Sequence, residues 1–392
     1  DNDLDLYVVS GGNEYDDNSS YYQDRIYLND GKGNFTKQDE AALQSFSKNG
    51  KAVAVIDYDK DGDLDILVGN RSIPQKYPQH SPSTLYENNN GVLENITQAI
   101  APELEDFGIV NSILTTDFDN DGWEDFIAVG EWTSIGFFKN NQGTFKLVKD
   151  VDALNEKGWW FSVEETDINN DGLKDYVVGN VGLNLKFKAS KKKPFKIYSN
   201  DFDNNGINDV VLSKEYKGEY VPVRGRECFS QQMPFIKDKF KSYSSFANAT
   251  LVDIYGEKLE NSYEKEATQF QSLILVNKGN GQYESKPLPI LSQQFPIMNI
   301  VFYDVNDDGY EDCIAAGNIF DTEVETPRLD AISGVILLSN KKDGYNAVDY
   351  KKSGVYLEKD TKDIIMINFD NSPMLISTNN DNTLTSYELT SN

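Results

Sequence analysis

The chain is poor in the side chains that run soft-metal and nucleophilic chemistry: one histidine, two cysteines and four methionines in 392 residues. A single histidine leaves no His-based zinc motif, and neither a nucleophile elbow nor a phosphate-binding loop is present. That histidine, His80, lies in the Pro- and Ser-rich stretch YPQHSPS and is expected to be exposed. The cysteines, Cys228 and Cys313, neither require nor exclude a disulfide. Cys313 falls in an apolar strand-like run and is expected to be a buried free thiol. Basic residues are also scarce, with Lys+Arg 37 against Asp+Glu 64 and a net charge of −27. Nucleic-acid phosphates need a basic patch, so that class of partner is excluded. The one dense basic run, Lys191 to Lys193, reads as a solvated loop. No apolar stretch is long enough to span a membrane as a helix.

What is abundant is aspartate in a fixed spacing. The pattern D-x-[DN]-x-[DN]-G-x-x-D occurs intact five times: DYDKDGDLD from Asp57, DFDNDGWED from Asp117, DINNDGLKD from Asp167, DFDNNGIND from Asp201 and DVNDDGYED from Asp304. Calcium takes six to eight hard oxygen ligands, and alternate positions of a tight loop can aim oxygens at one point. Glycine at position 6 permits the sharp turn. The expected ligands are Asp57, Asp59, Asp61, Asp63 and Asp65; Asp117, Asp119, Asp121, Trp123 and Asp125; Asp167, Asn169, Asp171, Leu173 and Asp175; Asp201, Asp203, Asn205, Ile207 and Asp209; and Asp304, Asn306, Asp308, Tyr310 and Asp312. Position 7 is variable and would give only its carbonyl. Position 9 would close the shell. The helix–loop–helix calcium site has a twelve-residue loop ending in Glu, so these shorter loops are a different class. Five calcium ions, structural in role, would offset about ten negative charges and suit an extracellular setting rich in calcium.

The flanks are strands. KAVAVID, VNSILTTD and MNIVFYD precede loops, and LDILVGN, EDFIAVGE and KDYVVGN follow them. Short β-branched runs bounded by Gly and Asn read as strands. Segments such as RIYLNDGKGNFTK and GFFKNNQGTFKLV read as tight hairpins. Each repeat is then strand A, metal loop, strand B, long loop, strand C, tight turn, strand D. The fold class is all-β, a β-propeller of four-stranded antiparallel blades. DNDLDLYVVSGG aligns with DGDLDILVGN, so Asp1 and Asp5 stand at positions 5 and 9 of a beheaded loop. INFDNSPMLISTNN reads as a degenerate last loop. No well-formed ion is expected at either. Seven blades are expected, six or eight being the alternatives. Residues 1–392 read as a single domain that opens inside a repeat, hence a fragment of a longer protein. The spacing implies a shortened fourth unit and a partly helical insertion at 214–268, where Phe229, Met233, Ile236, Phe240 and Tyr243 recur at helical spacing.

A–B loops emerge on one face of an antiparallel blade, so calcium is expected on that face and recognition on the other. Just beyond strand B stand Arg71, Glu131, Trp132, Asn180 and Asn184, and Trp159 and Trp160 precede a strand A. Such a cluster suits stacking on sugar rings or gripping a peptide. Packing of these tryptophans between blades is the competing reading.

The loops and flanks resemble FG-GAP/VCBS repeats, the calcium-binding blades also found in integrin α-subunit propellers. The succession SGGNE, GDLDILVGNR, VGEW, GWW, DYVVGNVGLN, QQMPFIKDKF and DAISGV is similar to large VCBS-repeat proteins of Bacteroidetes, grouped with the ASPIC/UnbV (cartilage-acidic-protein-like) family. That resemblance implies the C-terminal propeller of a secreted or outer-membrane-associated protein. Its partners would be outer-membrane proteins, SusC/SusD-type nutrient-uptake pairs among them. It supplies no enzymatic activity. The expectation is therefore a non-catalytic binding or scaffold module at the cell surface, the alternative being a polysaccharide-active lyase or hydrolase.

Overall fold

The computed structural model describes residues 3–38, 48–323, 325–370 and 372–389. Strands dominate, and every strand pairing is antiparallel. The first sheet holds β1 (Leu6–Val8), β2 (Arg25–Asn29) and β3 (Phe35–Lys37). The second holds β4 (Gly50–Ile56), β5 (Asp65–Asn70), β6 (Thr84–Asn89) and β7 (Val92–Asn95). The third is β8 (Ser112–Thr116), β9 (Asp125–Val129), β11 (Gly136–Asn140) and β12 (Phe145–Leu147), while the short β10 (Glu131–Thr133) leaves it to join the next sheet. That sheet runs β10, β13 (Gly158–Thr166), β14 (Asp175–Asn180), β19 (Leu273–Asn277) and β20 (Tyr283–Pro287).

Between β14 and β19 the chain makes an excursion with a sheet of its own: β15 (Phe195–Asn200), β16 (Asp209–Tyr216), β17 (Glu219–Pro222) and β18 (Tyr263–Ala267). The last two sheets are β21 (Asn299–Tyr303), β22 (Asp312–Ala316), β23 (Val335–Ser339) and β24 (Tyr345–Ala347), then β25 (Thr361–Phe369), β26 (Ser372–Asn379) and β27 (Thr385–Glu388). Successive sheets pack through their first strands, β4 on β8, β8 on β13, β13 on β21 and β21 on β25, a propeller-like series around a shared axis.

The repeat assignment shifts at one place. The 201–209 loop does not start a fifth unit but joins β15 to β16 inside the excursion, and the unit that begins at Asp167 is not cut short but resumes at β19. Among the described residues there are therefore seven sheets, six that follow the repeat and one inserted. The excursion also carries five short helical segments between Arg226 and Glu260. Pro234 and Gly256 interrupt them, and Ser242 and Thr250 start new ones through capping boxes. Phe229, Met233 and Ile236 are buried in their shared core and Phe240 is partly so, whereas Tyr243 is exposed. At the C-terminal end, Phe369 pairs with Ser372, so β25 and β26 leave only two residues between them, too few for a loop of ligands. Asp1 lies outside the described residues.

The core is divided among the blade interfaces. Ile127, Phe137, Trp160, Tyr176 and Leu275 share one apolar cluster, and Val177, Ile274, Ile297, Cys313 and Leu337 another. Cys313 is fully buried and Cys228 half-buried, and both are free thiols.

Candidate metal centres and axial cavity

The five acidic loops share one backbone solution. Position 4 (Lys60, Asn120, Asn170, Asn204, Asp307) has φ between 55° and 65°, and the glycine at position 6 has φ between 82° and 94°. Asn and Asp tolerate that left-handed geometry better than other non-glycine residues. In four loops the position 1 aspartate accepts N–H groups from positions 5 and 6: Asp121 and Gly122 onto Asp117, Asp171 and Gly172 onto Asp167, Asn205 and Gly206 onto Asp201, Asp308 and Gly309 onto Asp304. In all five, the position 5 side chain accepts the position 7 N–H, at 2.7–3.1 Å. These bonds turn the loop inward.

Three loops bring carboxylate oxygens together within 4.8 Å: Asp57, Asp59 and Asp61; Asp117, Asp119 and Asp125; Asp201, Asp203 and Asp209. Asp57 Oδ1, Asp63 Oδ1 and Asp119 Oδ1 are buried without a hydrogen-bond partner. Buried carboxylate oxygens converging unpaired suit a hard divalent cation. The chemistry of the donor set thus fits calcium. In the loops at Asp167 and Asp304 position 3 is an amide, Asn169 and Asn306, which lowers ligand charge. Lys139 bonds Asp119 and lies 3.0 Å from Asp121, so a cation entering that loop displaces an ammonium.

Position 9 carries a duty that the spacing did not reveal. Asp65, Asp125, Asp175, Asp209 and Asp312 are all buried. One oxygen of each accepts the N–H of position 2 (Tyr58, Phe118, Ile168, Phe202, Val305). The other accepts the N–H of Asn88, Asn140, Asn277 or Ser339 at the end of strand C. In the inserted sheet Gln232 Nε2 takes that place on Asp209, at 3.1 Å. Asp5 accepts from Asn29 in the same way, which supports its alignment as position 9. Burial pushes these carboxyls up, Asp65 and Asp175 to about 6 and Asp125 to about 7. Each oxygen keeps a lone pair beyond the accepted N–H, so a pinned carboxylate can still face an ion.

The acidic loops do not all mark one face. The loop at 201–209 rides on the excursion, and Asn208 Nδ2 comes within 3.5 Å of the Tyr77 carbonyl, in the B–C connection of the second sheet.

On that side a cavity of about 740 Å³ opens along the axis. First strands line it: Lys51 on β4, Ser112 on β8, Phe161 and Glu164 on β13, Asn299 on β21, and Lys362 and Asp363 on β25. Of the residues expected to bind a ligand, Arg71, Glu131 and Trp159 line it and Trp132 stands behind them. The strand β10 does this by pairing Glu131 with Trp159 across a register shift. At that shift Trp132 has φ 63°, a conformation unfavourable for a bulky residue. Its ring is buried against Trp159 and Phe195. A chain of bonds follows: Trp132 Nε1 donates to Tyr77 Oη at 2.6 Å, Tyr77 Oη donates to Glu131 Oε2 at 2.7 Å, and Arg71 donates to Glu131 Oε1 at 2.6 Å. Glu131 holds the guanidinium charged and above its usual pKa range.

The other expected residues fall elsewhere. Trp160 is wholly buried in the apolar core and donates to the Thr133 carbonyl at 3.0 Å. Asn180 is wholly buried and ties down the Trp159 and Val181 N–H groups and the Gln269 and Gln271 carbonyls. Alternation along β13 explains Trp160: its neighbour Trp159 faces the axis, so it faces the core. Asn184 is exposed on the excursion, outside the cavity lining. His80 is half-buried beside Tyr263 rather than exposed, because the inserted sheet covers its loop. Sequence spacing did not single out Lys51, Tyr77, Glu164, Asn299 or Asp363. Only the packing of first strands, with Tyr77 brought in by the B–C connection of the second sheet, gathers them.

These features define a class: an all-β repeat protein whose A–B turns are built to gather oxygen ligands. Within it, residues 1–68 and 117–178 match the FG-GAP-like repeat. No curated protein matches the chain. Among solved structures, that of the V. cholerae biofilm matrix protein Bap1 aligns with 98% of this chain and 87% of that one, at 9% identity and a TM-score of 0.27, too low for any inference. Among the described residues no helix is long and apolar enough to cross a membrane.

Proposed function

We propose that the chain is a calcium-stabilised propeller acting as a binding or scaffold module at the bacterial cell surface. The observation that carries this reading is the shared geometry of five acidic turns, four between strands A and B and one in the inserted sheet, three of which gather carboxylates around one point. Calcium there would be structural, about five ions, each clipping a hairpin and neutralising self-repelling charge. The ligands would be the oxygens at positions 1, 3, 5 and 9 and the carbonyl at position 7. Affinity for calcium would be lowest where Asn169, Asn205 and Asn306 replace aspartate. The order of motifs favours the ASPIC/UnbV-like relatives of Bacteroidetes, and with them partners of the SusC/SusD type in an outer-membrane complex.

The test is thermal unfolding with calcium and with EDTA. A ligand at a hundred times its Kd adds about 2.7 kcal/mol per site, so removal of several ions should lower the melting temperature by well over about 5 °C. Equal melts together with no bound metal by elemental analysis would rule the reading out. A native pull-down from the source membrane, yielding stoichiometric partners, tests the complex.

The enzymatic alternative has one observation in its favour. Burial, with Asp363 and Glu165 nearby, pushes Glu164 in the axial cavity up to about 7, the range of a general acid. Turnover of a polysaccharide panel that disappears in Glu164→Gln would establish it.

A further inference from the structure

We infer that the axial cavity binds a neutral, hydroxyl-rich ligand, one or two sugar rings of a glycan; this deepens the binding-module reading and rests on it. The argument starts from polar atoms that the fold leaves unpaired. Trp159 Nε1 and Arg71 Nε are buried donors without partners, and Asn299 Oδ1 is a buried acceptor without one. All three residues line the same cavity. Native proteins pair the great majority of such atoms, and each orphan costs about 1–3 kcal/mol. Three around one cavity mark a place where a ligand completes the bonding.

The mixture of signs selects the chemistry. A carboxylate ligand would satisfy the two donors but face Glu131, Asp321 and Asp363. An ammonium ligand would satisfy Asn299 but face Lys51 and Arg71. A hydroxyl both donates and accepts, so a ring carrying several of them answers donors and acceptors without meeting a like charge. Trp159 and Phe161, both half-buried, supply apolar surface for the ring's C–H faces. A volume of about 740 Å³ lies in the range of small-molecule sites. The backbone at Trp132, φ 63°, is held in an unfavourable region just where it braces Tyr77, Glu131 and, through them, Arg71. Strain retained at such a place is what a built site shows.

The experiment is titration calorimetry on the full chain in calcium, with maltotriose, cellotriose and mannotriose as neutral probes and trigalacturonic acid as an anionic one. At least one neutral trisaccharide should saturate the protein. Trp159→Phe, which keeps the ring and removes the donor, and Asn299→Ala, which removes the acceptor, should each weaken it about tenfold. Melting in calcium, run on the same samples, should stay cooperative and calcium-dependent in both variants, lowered only by the ring packing that Trp159 loses and by the Asn299 bond to Asp363. Three results would overturn the inference: no saturation by any neutral probe up to about 20 mM, tighter binding of trigalacturonic acid than of every neutral probe, or affinity indifferent to both substitutions. The melts separate the two readings. Calcium-dependent melting without sugar binding removes only the ligand assignment, whereas melting indifferent to EDTA removes the calcium scaffold itself.

Discussion

At the scale of single residues, the acidic loop divides its labour between gathering carboxylate oxygens and holding the blade. The convergence of position 1 and position 3 oxygens was legible, because their spacing alone puts them on one side of a turn. The second duty of position 9 was not legible, because its partner is the N–H of a strand C residue far along the chain, as Asn277 is for Asp175. Asp125 shows the consequence. It is fully buried and accepts the N–H groups of Phe118 and Asn140 at 3.1 and 2.7 Å. Asp125→Ala strands both donors, at about 1–3 kcal/mol each. Asp119 sits at the half-buried mouth of the same loop, and neither of its oxygens accepts a backbone N–H. Asp119→Ala and Asp125→Ala should each lose one calcium equivalent, but in EDTA only Asp125→Ala should unfold at clearly lower urea concentration. Equal urea midpoints in EDTA would mean that position 9 serves the ion alone.

At the scale of elements, the hairpins were readable and the long pairings were not. A–B and C–D turns carry local signals, Gly after three acidic positions or an Asn-Gly pair, so strands such as β8, β9, β11 and β12 could be read directly. The partner of β14 could not. Its strand C is β19, beyond an excursion whose own runs, FKIYSN and DVVLSKEY, carry the same apolar pattern and the same loop as a blade. Nothing local distinguishes a nested hairpin from the next repeat. The glycines at or beside the ends of β5, β9 and β14 (Gly69, Gly130 and Gly179) also have a role that only assembly exposes. Backbone bonds join one blade to the chain entering the next: Gly50 N–H to Ser10, Val110 to Asn70, Trp160 to Gly130 and Ile297 to Asn180, at 2.9–3.1 Å. A Cβ at Gly179 would stand 2.4 Å from the Ile297 carbonyl oxygen and 2.3 Å from Ser162 Oγ. The backbone cannot yield without breaking the Ile297 bond. Gly179→Ala should therefore destabilise the protein by about 1–3 kcal/mol with calcium stoichiometry intact. Gly172→Ala, strained by a φ of 82° at the loop tip but free of contacts, should instead weaken that loop's calcium affinity.

At the scale of the whole molecule, the acidity that composition announced becomes a question of where the charge sits. The net charge is −27, and seventeen aspartates occupy positions 1, 3, 5 and 9 of the five intact loops. Those loops also lean on one another. Glu124 of the second accepts the Asp57 N–H of the first at 2.9 Å, and Asn170 of the third donates to the Gly309 carbonyl of the last at 3.0 Å. Charge gathered in one loop is thus felt by its neighbour. With the ions removed, repulsion within and between loops opposes the fold, and added salt screens it, the Debye length falling from about 30 Å at 0.01 M to about 8 Å at 0.15 M. With calcium in place, much of that repulsion is already cancelled locally. Raising NaCl from about 10 to 150 mM should therefore raise the melting temperature by several degrees in EDTA and by much less in calcium. Sodium sulfate at matched ionic strength controls for salting-out, which strengthens burial in both states alike. A salt response of equal size with and without calcium would place the destabilising charge on the general surface. A response confined to the metal-free protein would place it in the loops.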